Sequence, residues 1–192
     1  MLHKSREVVS FLSPNFLLSH SVDGFKYDGD EDNDGKDLTG YEDGTENPTG
    51  EDAVNAAFDD LGCSFVAVQQ WQHNLDHFES LPQQEKDHII GRRQSDNEEL
   101  DDAPESAHVK RTAQESFSPE AFMLRRSMPY VEGQTAGLVF VCFASSTQPF
   151  LQQMDRMVGK EDGITDGLFR FSVPKTGAFF WLPPMKDGKI AL

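Results

Sequence analysis

Two β-rich runs, AFMLRRSMPY (Ala121 to Tyr130) and AGLVFVCFAS (Ala136 to Ser145), are separated only by VEGQT. So short a connection leaves no room for a crossover, so the runs are predicted to pair as an antiparallel hairpin. A third β-forming run, SFVAVQQWQHNL (Ser64 to Leu75), lies upstream, and GAFFWLPP (Gly177 to Pro184) forms a closing strand. Between the strands the pattern turns helical. A helix is predicted over Asp76 to Arg92, with Ser80 and Pro82 as start signals and Gly91 as a stop. A second is predicted over Thr147 to Gly159, where Phe150, Leu151, Met154 and Met157 or Val158 fall on one face.

The order β-α-β-β-α-β predicts an α+β, ferredoxin-like unit: an antiparallel sheet with two helices on one face. A long polar loop, from Arg93 to Ala121, interrupts it. The 192-residue chain is large enough for one well-packed domain, and apolar residues concentrate between Cys63 and Met185. We divide it into an N-terminal remnant with an acidic loop, residues 1–53, and the ferredoxin-like domain, residues 54–192.

Charge excludes some functions. The net charge is −16, which argues against nucleic-acid backbones and anionic membranes as partners. No run approaches the ~20 apolar residues of a membrane span. The N-terminus, with an apolar stretch broken by Ser, Pro and Asn, lacks a convincing small-residue cleavage site, so a cytoplasmic location is expected. The two cysteines, Cys63 and Cys142, sit in apolar runs and are expected to be buried thiols. They fit no zinc spacing, and there is no CxxCH for covalent haem attachment.

The most acidic stretch, GDEDNDGKDLTGYEDGTENPTG (Gly29 to Gly50), has two halves. Asp30, Asp32, Asp34 and Gly35 match the first half of a calcium loop, but Asp37 takes the apolar eighth position and Tyr41 the position of the bidentate Glu. An EF-hand is therefore rejected. A solvated loop is expected, and weak cation binding over residues 28–37 stays open. In the second half, Gly40, Gly44 and Pro48 fix turns around Asp43. On the residues alone, Asp43 is either a helix cap in a turn-rich linker or a carboxylate held for chemistry.

DLTGYEDGTENP resembles the Gly-x-x-Asp-Gly signature of dye-decolorising peroxidases, a family of haem enzymes. AHVKRTAQE around His108, FMLRRSMPY around Arg125 and the closing DGITDGLFRFSVPKTGAFFWLPP fit the same family in the same order, close to its bacterial cytoplasmic branch. The resemblance runs from about Phe25 to Pro184. It implies haem b, bound non-covalently with its iron ligated by His108, and places Asp43, Arg125 and Ser127 on the distal side. Arg92 would lie near a haem propionate. Hydrogen peroxide and a small organic electron donor are then the expected substrates.

The residue types suit those roles. Neutral imidazole is the usual proximal ligand in peroxidases, and a carboxylate commonly orients its second nitrogen. Candidates for that carboxylate lie in the ELDDAPE run, Glu99 to Glu105. Peroxide heterolysis needs a proton moved from the near to the far oxygen, a task for Asp43, and a fixed positive charge, supplied by Arg125. In a strand Arg125 and Ser127 share a face and Arg126 points away. Tyr41, Trp71, Tyr130 and Trp181 are candidate electron relays, each more often a core or rim aromatic. Of the six histidines, His3, His20, His73, His77 and His88 read as ordinary, His73 as a packed strand residue.

Two departures from the family pattern matter. Tyr41-Glu42 stands where Phe-Val is frequent, so Glu42 would raise the Asp43 pKa if it faced the pocket. The family builds its cavity from two ferredoxin-like units, and here the first is reduced to at most Met1 to Gly24. An active peroxidase is expected, with a truncated haem-binding module of little turnover as the alternative and a non-catalytic acidic fragment third. An uncovered sheet face would also favour homo-oligomers.

Overall fold

The computed structural model describes residues 2–28 and 35–191. The half calcium loop from Asp30 to Asp34 lies outside the described residues. Three long strands carry the architecture: β1 (Ser64–His73), β4 (Thr135–Ala144) and β5 (Ser172–Leu182). Two short ones, β2 (Leu124–Arg125) and β3 (Met128–Glu132), complete a five-stranded antiparallel sheet. β1 is central. It pairs with β4 from Phe65 opposite Ala144 to Gln72 opposite Gly137, and with β5 on its other side. β2 and β3 follow one another along the far edge of β4. This is the ferredoxin-like arrangement, with the expected hairpin closed between Glu132 and Thr135.

The helices depart from the sequence pattern in detail. The segment after β1 is broken into α3 (Leu75–Ser80) and α4 (Gln83–Ile90), not one continuous helix. Leu81 is extended because it precedes Pro82, whose ring disfavours the helical conformation there. Gly91 ends α4 in the left-handed conformation, φ 96°, as its position predicted. AFMLRRSMPY is likewise not one strand: it is interrupted at Arg126 and Ser127, although the register against β4 continues across the gap. The closing strand starts earlier than GAFFWLPP, at Ser172.

α6 (Gln148–Met157) packs Phe150 onto the sheet face formed by Ala67, Cys142 and Ala144, with Met123 beside them. Further along, Tyr41, Phe78, Ile89 and Phe171 form a second buried cluster. Phe78 and Phe171 have ring centroids 4.3 Å apart. Between these clusters lies a cleft, and the loops and helix α5 (His108–Arg111) close over it. Gly137 lets β4 reach β1 here: a Cβ would sit 1.9 Å from the Trp71 carbonyl oxygen.

Elsewhere the sequence leaves apolar surface uncovered. α1 (Leu2–Leu12) buries none of its residues. β5 lies at the sheet edge, and Phe179, Phe180, Trp181 and Leu182 are each 41–54% exposed. Both cysteines are buried free thiols, and burial pushes Cys142 up to about 11. No described helix is long and apolar enough to cross a membrane.

Candidate active site

Asp43, His108 and Arg125, far apart in sequence, all line the one cleft over the sheet. The chain folds them together by distinct devices. Asp43 sits in a tight loop, and its N–H donates to the Gly35 carbonyl at 3.1 Å. It caps no helix: α2 (Gly50–Ala57) starts after Thr49. Asn47 then joins this loop to strand β2. Its Oδ1 accepts from the Arg125 N–H at 2.8 Å, and its Nδ2 donates to the Arg125 carbonyl at 3.1 Å. The Asp43 loop and Arg125 are thereby fixed on one frame.

His108 begins the single turn α5, and its Nδ1 lies 2.8 Å from Oδ2 of Asp166. The Asp166 side chain is wholly buried, and its Oδ1 accepts from the Leu168 N–H at 2.8 Å. The orienting carboxylate thus comes from the loop before β5, not from the Glu99 to Glu105 run. The same turn is held from behind by Arg111. This buried guanidinium makes two bonds to Asp162, at 2.7 and 2.8 Å, and one to the Arg156 carbonyl at 2.6 Å. The paired charge holds the Asp162 carboxyl at about 2.

The electrostatics around Asp43 and Arg125 are set by burial. Desolvation pushes the Asp43 carboxyl above the ordinary value, Asp37 adds to that, and Arg125, His108 and the Gly44 N–H oppose it. Glu42, in contrast, is exposed on the rim and accepts from Asn97 Nδ2 at 2.8 Å. The like charge acting on Asp43 is therefore Asp37. Burial draws Arg125 below the ordinary arginine value, against the pull of Asp43 and Glu46. Its Nε is buried without a hydrogen-bond partner among the described residues.

The remaining candidates are placed differently. Ser127 lines a side recess that also touches Asp43 and Arg125, and its Oγ accepts from the Val141 N–H at 3.3 Å. Arg126 is exposed, as strand alternation predicts. Arg92 lies in an adjoining recess, where it donates to Glu46 at 2.5 Å and Glu99 at 3.2 Å. Of the aromatic candidates, Tyr41 and Trp71 line the cleft, Tyr130 is buried away from it and Trp181 is half exposed on β5.

The cleft holds about 930 Å³ of empty space, counting solvent at its mouth. Its walls are largely apolar, with Trp71, Leu138, Phe140, Phe150, Met154 and Phe171 among them. This combination fits a flat apolar macrocycle that needs one imidazole nitrogen, and His108 Nε2 is the nitrogen left after Asp166 takes Nδ1. The orphaned Arg125 Nε marks where a polar ligand atom would be welcome. Among the described residues no cluster of three or more His, Cys, Asp or Glu is arranged to hold a metal ion by itself.

The sequence and the fold both have known relatives. A family model described as Dyp-type peroxidase, C-terminal, matches residues 34–187. The chain belongs to that family. A dye-decolorizing peroxidase of Rhodococcus erythropolis is 34% identical over 84% of this chain and 50% of its own length. Among solved structures, a dye-decolorizing protein from V. cholerae superposes with a TM-score of 0.83 at 31% identity, covering 95% of this chain and 62% of that one. A variant of DypB from Rhodococcus jostii RHA1 in complex with heme gives the same TM-score at 31% identity, over 94% of this chain and 60% of that one. The chain spans about half the length of the curated relatives it matches.

Proposed function

We propose that the protein is a haem-dependent peroxidase that reduces hydrogen peroxide and oxidises phenolic, dye or porphyrin-type donors. The observation that carries this reading is the convergence of Asp43, Arg125 and the Asp166-bonded His108 on one apolar cleft. Haem b, held non-covalently, would supply the iron that binds peroxide and stores the oxidising equivalents. His108 would hold it through Nε2, with Asp166 fixing the ring and raising its basicity. Asp43, kept at a raised pKa, takes the proton from the bound peroxide and returns it to the departing oxygen. Arg125 supplies the positive charge that offsets the charge developing there, and its burial makes that charge more effective. Ser127 would act from the side recess that also touches Asp43 and Arg125. Arg92, paired with Glu46 and Glu99 in the adjoining recess, would face a haem propionate from there.

The same reading places the protein in the cytoplasm, in keeping with its two free buried thiols. It also makes residues 54–192 the haem-binding domain and residues 1–53 the segment that delivers Asp43. Self-association through the exposed run of β5 fits the reading as well.

Reconstitution with haem tests it. A Soret band is expected, together with peroxide-dependent oxidation of a phenolic donor, and His108→Ala abolishes both. Absence of haem uptake overturns the proposal. A second reading is a haem-binding module with little turnover. It predicts a Soret band without donor oxidation.

A further inference from the structure

Tyr41 and Asp87 form a buried pair that has no part in the reading above. The Tyr41 ring lines the cleft with Asp43 and is 4% exposed. Its hydroxyl donates to Oδ1 of Asp87 at 2.5 Å. Asp87 is buried on α4 and does not line the cleft. The same carboxylate oxygen accepts from Gln83 Nε2 at 2.8 Å and from the Gln94 N–H at 3.2 Å. Each of these is a donor, so Asp87 is presented to the phenol as an acceptor. Gln83 is exposed, and its Nε2 also lies 3.2 Å from the phenolic oxygen. Tyr41 thus reaches from the cleft to within one side chain of the surface.

We infer that Tyr41 is a redox relay between the cleft and the surface at Gln83, with Asp87 as the base that holds its proton while the ring is oxidised. This rests on the peroxidase reading, in which haem oxidised by peroxide is the one-electron oxidant. One electron leaves the Tyr41 ring for that oxidant. The phenolic O–H bond breaks and an O–H bond forms on Asp87 Oδ1, leaving a neutral phenoxyl radical beside a neutral carboxylic acid. A phenolic or dye donor lying over Gln83 then gives one electron to the radical, and the proton returns from Asp87 to the phenolic oxygen. A phenolic donor sheds its own proton to solvent. One electron has moved from donor to oxidant, and Tyr41 and Asp87 are restored.

Burial makes the carboxylate necessary. A phenol that loses an electron but keeps its proton becomes a cation, and an unpaired positive charge in an apolar wall is costly. With Asp87 in hydrogen-bond reach, the site passes from one negative charge to none, and no positive charge is made. Burial and the Asp87 bond hold the phenol above its ordinary value, so the proton stays on Tyr41 until the electron leaves. Phe78, Ile89 and Phe171 pack with Tyr41 in one buried cluster, which shields the radical from water. Trp71, the other cleft-lining relay candidate, lacks such a partner. Its Nε1–H donates to Gln69 Oε1 at 3.0 Å, an amide oxygen too weakly basic to take the proton.

The test has two arms. In the haem-loaded protein, peroxide is added without donor and the sample is freeze-quenched for electron paramagnetic resonance. A tyrosyl signal is expected in the wild type and is lost in Tyr41→Phe, with the Soret band unchanged. Asp87→Asn keeps the shape and a hydrogen-bond acceptor but not the base, and is expected to slow the signal's formation roughly 10²-fold. Tyr41→Phe should also slow oxidation of a dye too large for the cleft more than that of a small phenol. No tyrosyl signal in the wild type, the same signal in Tyr41→Phe, full-speed formation in Asp87→Asn, or equal loss for both donors overturns the inference. The second arm uses the haem-free chain with Tyr27→Phe, which removes a phenol that is 42% exposed. A flash-generated ruthenium(III) oxidant is expected to give a tyrosyl signal that Tyr41→Phe removes and Asp87→Asn delays. A signal indifferent to both variants, or none, overturns the pair. If no haem is taken up, the peroxidase reading fails, and the haem-free arm still decides the pair.

Discussion

Nδ1 of His108 and the carboxylate of Asp166 meet at 2.8 Å across 58 positions of sequence, and the carboxylate is wholly buried. A histidine that carries a metal needs its second nitrogen committed, and here the commitment comes from the loop before β5. Asp166→Asn keeps the shape but removes the charge. It is expected to weaken haem retention by roughly 10–100-fold, read by haem titration against apomyoglobin, and to lower the iron–histidine stretching frequency. Unchanged retention would show that Asp166 only packs the turn.

Asp43 gives a stability signature with a definite sign. Its folded pKa is raised, so between the ordinary value of 3.8 and that raised value the folded state binds more protons than the unfolded one. Stability contributed at this site therefore falls as pH rises through that window. Asp43→Asn, which copies the neutral form, is expected to melt higher than the wild type at pH 7. The two should converge in acid, below the ordinary carboxylate value.

Asp37 runs the other way. Its folded pKa is depressed, so it stabilises the fold above the ordinary 3.8, and that contribution is lost as pH falls through the folded value. Asp37→Asn should melt below the wild type at neutral pH, with the gap closing on acidification. Thermal melts of both variants from pH 3 to 8 check the pair together, and a gap of the same sign for both would contradict the assigned environments.

Asn47 offers a test that leaves every charged group in place. Its two hydrogen bonds to the Arg125 backbone tie β2 to the Asp43 loop. Asn47→Ala removes both and is expected to cost about 1–3 kcal/mol. In the haem-loaded protein it should lower the peroxide rate more than donor affinity, because it loosens Arg125 against Asp43. Stopped-flow measurement at saturating donor separates the two.

Much of the frame was legible in sequence. The VEGQT connection specified the hairpin, and the turn glycines around Asp43 specified a loop that presents a carboxylate. Long-range partnerships were not legible. Asp166 is recruited to His108 by the fold, and nothing local distinguishes it from the acids of Glu99 to Glu105. His73 read as a packed strand residue because strand alternation shows which face a side chain occupies. It does not reveal that Asp37 crosses from another segment to meet it. The break between α3 and α4 was available from Pro82, whose effect on Leu81 is local.

Gly91 does not line the cleft, yet it governs how closely the end of α4 approaches the turn bearing His108. A Cβ there would fall 2.3 Å from Cγ2 of Val109 and 3.1 Å from Cβ of Ala107, the two residues that flank the histidine. The left-handed backbone at Gly91 also resists any L side chain. A mutation at this position would thus act like a shim driven behind His108. The sheet, Asp43 and Arg125 would keep their places while the imidazole was pushed off axis. Alleles altered here would act on His108 from a buried position outside the cleft lining.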